Sequence, residues 1–332
     1  MIYRKIANSD LELSAITFGA WAVGGWMWGG NERKDSIEAI RASYDEGVTS
    51  IDTAPIYGQG ESEEILAEAM QGISRDKYQI LTKFGIRWDT TKGEFFMKTK
   101  DNQGNDIDAY KYSGRDSIIK ECEDSLRRLK TDYIDLYQIH TPDNTTPIQE
   151  SMEAVESLIK AGKVRYAGVS NYSAAQWEEA DKYTNVISNQ VPYSMVKREI
   201  EKDAVPYALE HGKSIIAYSP LQRGLLTGKV TPGYQFEEGD HRKGHFFFSE
   251  ENLKNVNGFL SKIKPMADDK GVTLSQLVLK WTIEQPAIDV ALVGARNAQQ
   301  SVQNAKAVNV NLSAEEVKFI TETLGDLELI RS

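Results

Sequence analysis

Short apolar segments alternate with amphipathic segments along almost the whole of this 332-residue chain. Strands that are covered by helices on both faces read as nearly continuous apolar runs, and the apolar segments are typical of such parallel strands. The predicted strands are Ala15–Phe18, Thr49–Asp52, Gln79–Thr82, Tyr133–Ile139, Val164–Val169, Val186–Gln190, Ser214–Tyr218 and Asp289–Leu292. Because parallel strands need helical crossovers, the alternation predicts an α/β fold. A (β/α)8 barrel and an open doubly wound sheet share this local pattern, and periodicity alone does not separate them.

Helix starts are marked by capping boxes, in which an N-cap side chain and a side chain three residues later bond each other's backbone N–H groups. Apolar side chains at helical spacing then form stripes, such as Ile118, Cys122 and Leu126. Both signals predict helices between the strands. The predicted capping pairs are Asp35 with Glu38, Ser173 with Gln176, Thr273 with Gln276, Asn297 with Gln300, and Ser313 with Glu316.

Length and composition fit a single barrel domain that spans residues 1–332. A length of 332 residues exceeds an ordinary domain but is normal for a (β/α)8 barrel. A chain that is 40% hydrophobic and 27% charged has the composition of a soluble globular protein. The formal net charge of −10 argues against nucleic acid or an anionic membrane as a partner. The oligomeric state is not indicated by the sequence.

Cysteine usage and hydropathy indicate the compartment. The one cysteine, Cys122, excludes an intramolecular disulfide, and its place on an apolar stripe predicts a small core residue. With four histidines and one cysteine in the chain, no metal is expected. No run approaches the roughly 18 apolar residues of a membrane span. Met1–Lys5 leads into polar sequence without an apolar leader, so we expect a cytoplasmic protein.

Two segments depart from the alternation. Phe84–Gly114 is polar and rich in Lys, Asp and Asn, and Lys229–Glu250 combines charges with the run Phe246–Phe248. Both follow predicted strands, at the face where barrel enzymes carry their active-site loops. We interpret them as long active-site loops that cover a ligand, with disordered surface insertions as the alternative for their middles. The aromatic residues that could form the walls of a ligand site are Trp88, Phe95, Phe96 and Phe246 in these segments, and Trp21, Trp26 and Trp28 nearer the N-terminus.

Polar residues stand at the carboxyl ends of three predicted strands. Asp52 ends the second strand, Lys83 follows the third and His140 follows the fourth. A barrel would bring these ends to one rim, next to Tyr57 in the loop after Asp52. Buried Asp and Lys need each other, because an unpaired buried charge is costly. A tyrosine beside that lysine would have its pKa drawn below about 10 and could give a proton to a carbonyl oxygen.

Each of these residues also has an ordinary structural role. An Asp at a strand end is often a cap, a Lys after a strand is usually solvated, and a His there is usually a buried side chain with its hydrogen bonds satisfied. Together, however, they form a convergent set of an acid, its charged neighbours and a neutral imidazole that orients the carbonyl. The set predicts an active site.

The chain around these residues resembles the aldo-keto reductase family. The segments Gly19–Gly25 and Arg223–Lys229 are most similar to the bacterial branch that contains the general-stress and inositol-cluster reductases. The resemblance covers almost the whole chain and implies a (β/α)8 TIM barrel with an N-terminal β-hairpin. The segments that match family blocks, in family order, are Gly47–Gly58, Ile80–Lys83, Asp132–His140, Gly162–Asn171 and Ala217–Leu221.

The resemblance implies a reaction and a role for each site residue. The reaction is reversible, NADPH-dependent reduction of aldehydes or ketones to alcohols, including sugars or cyclic polyol ketones, without a metal. Tyr57 would donate the proton, Lys83 paired with Asp52 would tune it, and His140 would orient the carbonyl. The residues implied in binding NADPH/NADP+ are Gly19, Ala20, Trp21, Asp52, Ser170, Asn171, Gln190, Tyr218, Ser219, Pro220, Leu221, Arg223, Gly224, Leu225, Gly294, Arg296, Gln300 and Asn304.

Arg296 indicates which nicotinamide cofactor is preferred. It precedes a predicted helix capped by Asn297, and free backbone N–H groups at a helix start form an anion site together with a guanidinium. Such a site suits the 2′-phosphate of NADPH, with a surface arginine at a helix start as the alternative. Better-known eukaryotic members of the family place a lysine–serine pair two residues earlier, where this chain has Gly294 and Ala295.

Two other functions stay open at this point. A redox-sensing or regulatory barrel subunit, like the potassium-channel β subunits that resemble this family, would keep the four residues and turn over little. A barrel lyase or isomerase acting on sugars would need a base together with metal or Schiff-base chemistry. Oxidation of NADPH by added aldehydes would separate both from a reductase.

Overall fold

The computed structural model describes residues 1–25, 32–236, 240 and 242–331. The strands are β1 (Tyr3–Lys5), β2 (Glu12–Ser14), β3 (Ile16–Gly19), β4 (Ser50–Asp52), β5 (Gln79–Phe84), β6 (Ile86–Arg87), β7 (Glu94–Lys100), β8 (Asp106–Lys111), β9 (Ile134–Ile139), β10 (Val164–Ser170), β11 (Val186–Pro192), β12 (Ser214–Tyr218) and β13 (Ile288–Val293). The α-helices are α1 (Arg33–Asp45), α2 (Glu61–Ala69), α3 (Arg115–Leu129), α4 (Ile148–Lys160), α5 (Ala174–Asp181), α6 (Ala204–His211), α7 (Glu250–Asp269), α8 (Leu274–Ile283), α9 (Ala298–Ala305) and α10 (Ala314–Gly325).

Eight parallel strands close into a barrel. Their order around the barrel is their order along the chain, β3-β4-β5-β9-β10-β11-β12-β13, and β13 pairs with β3 to close it. At least one helix joins each consecutive pair of barrel strands. Every strand predicted from the apolar runs is one of these eight, within two residues at either end. The (β/α)8 TIM barrel is therefore confirmed, and the open doubly wound sheet is wrong.

The predicted N-terminal hairpin is confirmed, and it closes the amino end of the barrel. β1 and β2 pair antiparallel, and Ile6 and Leu13 are buried among apolar side chains of the barrel strands, such as Leu136. The backbone N–H of Ala7 donates to the Oγ of Ser214, the first residue of β12, at 2.8 Å. Because the hairpin occupies this end, the open rim of the barrel is at the carboxyl ends of its strands.

Three of the five predicted capping boxes form completely, at Ser173, Thr273 and Ser313. Asn297 caps α9, but the side chain of its partner Gln300 accepts from Arg296 N at 2.9 Å instead of completing the box. The box predicted at Asp35 is wrong, because α1 begins at Arg33 and places Asp35 inside the first turn.

The segment Phe84–Gly114 differs from the predicted loop. It contains β6, β7 and β8, which form an antiparallel sheet in the order β6-β8-β7. The polar residues that suggested a loop belong to this sheet, in which every side chain of β7 is exposed or half-buried. Phe95 and Phe96 on β7 are 49% and 38% exposed, and their contact with a ligand stays a prediction.

The aromatic run of the second long segment packs into the protein. Phe247 and Phe248 are buried in the main hydrophobic core, and the partly buried Phe246 packs against it. That Phe246 also covers a ligand stays a prediction. Two further predicted wall residues, Trp26 and Trp28, lie outside the described residues.

Cys122 on α3 is fully buried, which confirms the predicted core role. Burial raises the pKa of its thiol to about 12, so the nucleophilic thiolate is not available near neutral pH. Among the helices that the structure describes, none is both long and apolar enough to cross a membrane.

Candidate active site

The carboxyl ends of β4, β5 and β9 bring a buried ion pair and a histidine together. Lys83 lies within β5, and its Nζ donates to Oδ1 of Asp52, the last residue of β4, at 2.5 Å and to the carbonyl of Thr53 at 2.9 Å. Both charged side chains are almost completely buried. The backbone N–H of His140, directly after β9, donates to the carbonyl of Phe84 at the end of β5 at 2.9 Å. Barrel pairing thus fixes all three positions.

Two glutamine side chains satisfy the second oxygen of Asp52. Gln190 Nε2 donates to Asp52 Oδ2 at 2.8 Å, and Gln138 Nε2 donates to the same oxygen at 3.3 Å. A buried ion pair is tolerated only when its remaining hydrogen-bonding capacity is met, and these amides meet it. Gln138 was missed by the sequence analysis. Its position could have indicated it, because side chains two residues apart along an extended chain point to the same side, and Gln138 stands two residues before His140.

Tyr57 places its hydroxyl beside this pair. The Tyr57 hydroxyl lies 3.5 Å from Lys83 Nζ, and the Tyr57 and His140 rings meet edge to face with centroids 5.7 Å apart. The loop that carries Tyr57 is held by α2, because Ser62 N donates to the Tyr57 carbonyl at 3.2 Å. A phenol, an ammonium and an imidazole therefore converge at one point on the rim.

The pKa of Tyr57 is opposite to the sequence prediction. Burial first, and the negative charge of Asp52 second, raise the pKa of Tyr57 well above its ordinary value. The prediction of a lowered pKa is wrong because burial has the largest effect on the phenol and the nearby carboxylate of Asp52 adds to it. Tyr57 is consequently a neutral phenol at physiological pH, which is the state that a proton donor requires.

His140 is held in the neutral state. Burial and the positive charge of Lys83 hold the pKa of His140 well below its usual range. Its Nδ1 is buried and has no hydrogen-bond partner within the described part of the chain. A neutral imidazole can donate from one ring nitrogen to a carbonyl oxygen, which matches the predicted orienting role.

We expect no titration of His140 between about pH 5 and pH 8, the range in which an ordinary histidine changes charge. The sign follows from the lowered pKa, because both burial and Lys83 oppose the imidazolium. Long-range ¹H–¹⁵N spectra of the imidazole across this range should show one unchanged neutral tautomer. Free imidazole added to the same sample serves as the control, and a His140 midpoint near 6.5 would contradict the assignment.

Three residues of the predicted cofactor set, Ser170, Asn171 and Gln190, form one hydrogen-bonded network beside the ion pair. Asn171 Nδ2 donates to the carbonyl of His140 at 3.0 Å, and its Oδ1 accepts from the Tyr218 hydroxyl at 2.9 Å. Ser170 Oγ donates to the carbonyl of Gln190 at 2.7 Å. Hydroxyl and amide groups of this kind match the one acceptor and two donors of a nicotinamide carboxamide.

The loop after β12 has an unusual backbone. Ser219, Gln222, Arg223 and Gly224 have φ angles of 56°, 46°, 55° and 92°, in the left-handed region that only glycine adopts without strain. Strain of this kind clusters at ligand sites, and turns with left-handed residues gather backbone N–H groups into a concave anion site. Leu225 in the same loop is fully buried and packs in the main hydrophobic core.

The first and last barrel strands bring the remaining predicted cofactor residues together. A Cβ built on Gly19 would lie 3.7 Å from Gly294 N, which measures how closely the two glycines approach. Asn304 Nδ2 donates to the Gly294 carbonyl at 3.2 Å, and Gln300 Oε1 accepts from Arg296 N at 2.9 Å. Arg296 is exposed at the start of α9. The start of α9 is therefore built as a fixed turn beside the barrel rim.

An apolar cluster covers the face of Tyr57. It consists of Ala54, Ile56, Ile86 and Ala109, with the partly buried side chains of Trp21, Tyr57, Trp88 and Met97 packed against it. Two of the predicted wall residues, Trp21 and Trp88, therefore lie in the cluster that contains Tyr57. Trp21 also lies beneath the guanidinium of Arg223, which is 6.0 Å from its ring centroid.

Comparison with known proteins gives consistent matches over nearly the full chain. The model of the aldo/keto reductase family matches residues 15–324. Aldo-keto reductase YhdN of Bacillus subtilis (strain 168) is 38% identical over 326 residues, which cover 98% of this chain and 94% of the relative. NADH-specific methylglyoxal reductase of Escherichia coli (strain K12) is 34% identical over 328 residues, with 97% and 98% covered. The structure of the glycerol dehydrogenase AKR11B4 from Gluconobacter oxydans matches with a TM-score of 0.87 at 34% identity, covering 98% of this chain and 95% of that chain.

Proposed function

The chain belongs to the aldo/keto reductase family, and on that premise we propose that Tyr57 is its proton donor and NADPH its preferred cofactor. The protein is an oxidoreductase that uses a nicotinamide cofactor to reduce carbonyl groups. The observation that carries the proposed site is the contact of the Tyr57 hydroxyl with a lysine that is itself paired with Asp52. His140 completes the site at the same rim.

The proton path follows from the charges around Tyr57. The carbonyl oxygen of the substrate accepts the proton of the neutral Tyr57 phenol, and the phenolate that is left faces the Lys83 ammonium 3.5 Å away. A fixed positive charge beside a developing negative one lowers the barrier. His140, held neutral, donates a hydrogen bond that orients the same oxygen. The nicotinamide, when bound, supplies the hydride to the carbonyl carbon.

The cofactor residues fit a nicotinamide dinucleotide along its whole length. The Ser170–Asn171–Gln190 network offers amide and hydroxyl groups for the carboxamide. The strained loop after β12 offers a concave backbone for the pyrophosphate, with Arg223 as a neighbouring cation. At the far end, Arg296 and the start of α9 offer a site for a further phosphate. Tyr218, bonded to Asn171, is available to stack on the ring.

A regulatory subunit without turnover is not favoured. The relatives described above are named for reductase or dehydrogenase activity. The four catalytic candidates are all present and in contact, so no defect in the site argues for loss of turnover. A lyase or isomerase on sugars does not agree with membership of a reductase family.

The proposed preference for NADPH rests on Arg296. It needs a direct test, because one relative is named for the other cofactor. The Escherichia coli relative is named as NADH-specific, so membership of the family does not decide between the two cofactors. Arg296 at the N-terminus of α9 adds a guanidinium to free backbone N–H groups, and both favour a dianionic phosphate. NADH has no such phosphate and gains nothing there.

Arg296→Ala should raise the dissociation constant for NADPH about tenfold and leave that for NADH nearly unchanged. A charge-assisted bond to phosphate contributes roughly 1.5–3 kcal/mol, and the exposure of Arg296 places the effect at the lower end. Fluorescence titration with both cofactors measures the two constants. Arg296→Lys is the matched control and should lose less than the alanine variant. Equal losses for NADPH and NADH would place Arg296 away from the 2′-phosphate.

We propose that the substrates are small carbonyl compounds, including ketones derived from sugars or cyclic polyols. The indole faces of Trp21 and Trp88 in the cluster around Tyr57 suit both sugar rings and aryl groups. Two relatives are named for methylglyoxal and for glycerol, which are small oxygenated molecules. Cofactor oxidation with methylglyoxal, aryl aldehydes, sugars and inososes, and NADP+ reduction with glycerol and inositols, would rank them. No turnover with any of these under both cofactors would overturn the proposed function.

A further inference from the structure

The tip of the β7–β8 hairpin is a rigid turn. The carboxylate of Asp101 accepts three bonds across the turn, from Gln103 N at 2.9 Å, from Asn105 N at 2.8 Å and from Asn105 Nδ2 at 2.9 Å. Gly104 has a φ of 85° and donates its N–H to the Asp101 carbonyl at 3.0 Å. A tip that is fixed by its own bonds presents the side chain of Asn102 in one direction.

Asn102 reaches across to the two loops that follow β3 and β4. Its Nδ2 donates to the carbonyl of Gly24 at 3.1 Å, and it also donates to the carboxylate of Glu61 at the start of α2. These partners are 78 and 41 residues away in sequence. The tip contact therefore joins the inserted sheet to a distant part of the rim.

The point of attachment lies directly against the backbone of Tyr57. A Cβ on Gly24 would come within 2.6 Å of the Tyr57 carbonyl oxygen. A Cβ on Gly58 would come within 2.6 Å of the Gly24 carbonyl oxygen and 2.7 Å of Asn102 Nδ2. Only glycine fits at either position without movement of the backbone. Asn102 is thus fastened to the loop that holds the proposed proton donor.

The body of the hairpin covers the cluster around Tyr57. Met97 of β7 and Ala109 of β8 belong to that cluster, together with Trp21 and Trp88. The hairpin's other end is anchored in the barrel, because Gly85 N donates to Glu121 at 3.0 Å and Ser113 N donates to Asp143 at 2.8 Å. The two ends are held by different kinds of contact: backbone N–H groups are bonded at the root, whereas at the tip the exposed side chain of Asn102 bonds Gly24 and Glu61.

We propose that the β7–β8 hairpin is a lid over the substrate pocket and that Asn102 is its latch. The latch limits the entry and release of substrates that are too large to pass while the tip is attached, and it leaves small aldehydes unaffected. Asn102 is a positioning residue, since it acts through the lid and touches no reacting atom. The effect on substrates rests on the proposed function, whereas the effect on lid opening does not.

Two variants and one control test the latch. Asn102→Ala removes both bonds, and the isosteric Asn102→Asp keeps the shape of the turn but turns the donor into a carboxylate facing Glu61. Gln103→Ala is the matched control, because its side chain lies on the same turn and only its backbone is used there. Amide hydrogen exchange is measured on residues 94–111, and kcat/KM is measured for a small aldehyde and for the bulkiest accepted carbonyl.

A hydrogen bond contributes a net stabilisation of roughly 0.5–1.5 kcal/mol. Its loss should make amide hydrogen exchange in residues 94–111 about threefold to tenfold faster in both Asn102 variants, because the open state becomes more populated. The ratio of kcat/KM for the bulky substrate to that for the small one should rise at least about threefold, with cofactor affinity unchanged. Gln103→Ala should match the wild type in every measurement. Unchanged exchange overturns the latch, and an unchanged ratio with faster exchange overturns its effect on substrate size. If the wild type turned over no carbonyl at all, the proposed function would fail, and the exchange data alone would decide the latch.

Discussion

Replacing Tyr57 with phenylalanine is expected to lower turnover by about 10²–10⁴-fold, the contribution of a positioned acid. The change removes one hydroxyl, the group that lies 3.5 Å from Lys83 Nζ, and keeps the ring that packs edge to face with His140. The cofactor network runs through Asn171, Ser170 and Tyr218 and is left intact. Turnover should therefore fall while the dissociation constant for NADPH stays nearly unchanged.

Single-turnover reduction of a small aldehyde at saturating cofactor measures this loss directly, because product release cannot mask it. Fluorescence titration on the same preparation shows that the cofactor site survives. Retention of more than a tenth of the wild-type rate would show that Tyr57 is not the acid. A parallel loss of cofactor affinity would point to a damaged loop instead of a missing proton.

Replacing Lys83 with methionine is expected to destabilise the fold by about 3–5 kcal/mol, in addition to reducing activity. The reason is that Asp52 would stay buried without its charged partner, although Gln138 and Gln190 still donate to it. Methionine has nearly the length of the lysine stem, so loss of packing contributes little. The free energy of unfolding, measured in urea by circular dichroism, gives the magnitude.

The double variant Asp52→Asn with Lys83→Met separates the charge effect from a packing effect. With both charges removed, the amides of Gln138 and Gln190 face a neutral acceptor, and much of the lost stability should return. Turnover should not return, because no ammonium then faces Tyr57. If the double variant is as unstable as the sum of the two single variants, the pair is not the source of the loss.

The parallel strands and the candidate site could be predicted from sequence for the same physical reason, whereas the closed barrel followed from the family resemblance. Strands that are covered on both faces carry continuous apolar runs, and a parallel barrel brings all their carboxyl ends to one rim. Asp52, Lys83 and His140 were each marked by standing at such an end, and the structure brings them together. The family resemblance added the role of each residue, which position alone did not give.

Features that depend on distances of an ångström could not be predicted. The direction of the Tyr57 pKa shift depends mainly on how deeply the phenol is buried, and no sequence pattern encodes that burial. The inserted sheet was missed because β7 lacks the polar–apolar alternation of a half-buried strand and the segment is rich in charged residues. No local pattern in the sequence indicated the contacts of Asn102, because its two partners are 41 and 78 residues away along the chain.

Among the strands that the structure describes, β7 pairs with β8 alone, so the inserted sheet has an outer strand of a kind that the closed barrel avoids. β7 is the outer strand of the order β6-β8-β7, and it displays Phe95 and Phe96 to solvent. An exposed edge with aromatic side chains is a template on which a second copy can add a strand and begin an aggregate. The irregular register between Phe95 and Met97 and the charges of Lys98 and Lys100 on the same strand oppose this. We therefore expect the irregular register and the lysine charges of β7 to oppose strand addition by a second copy.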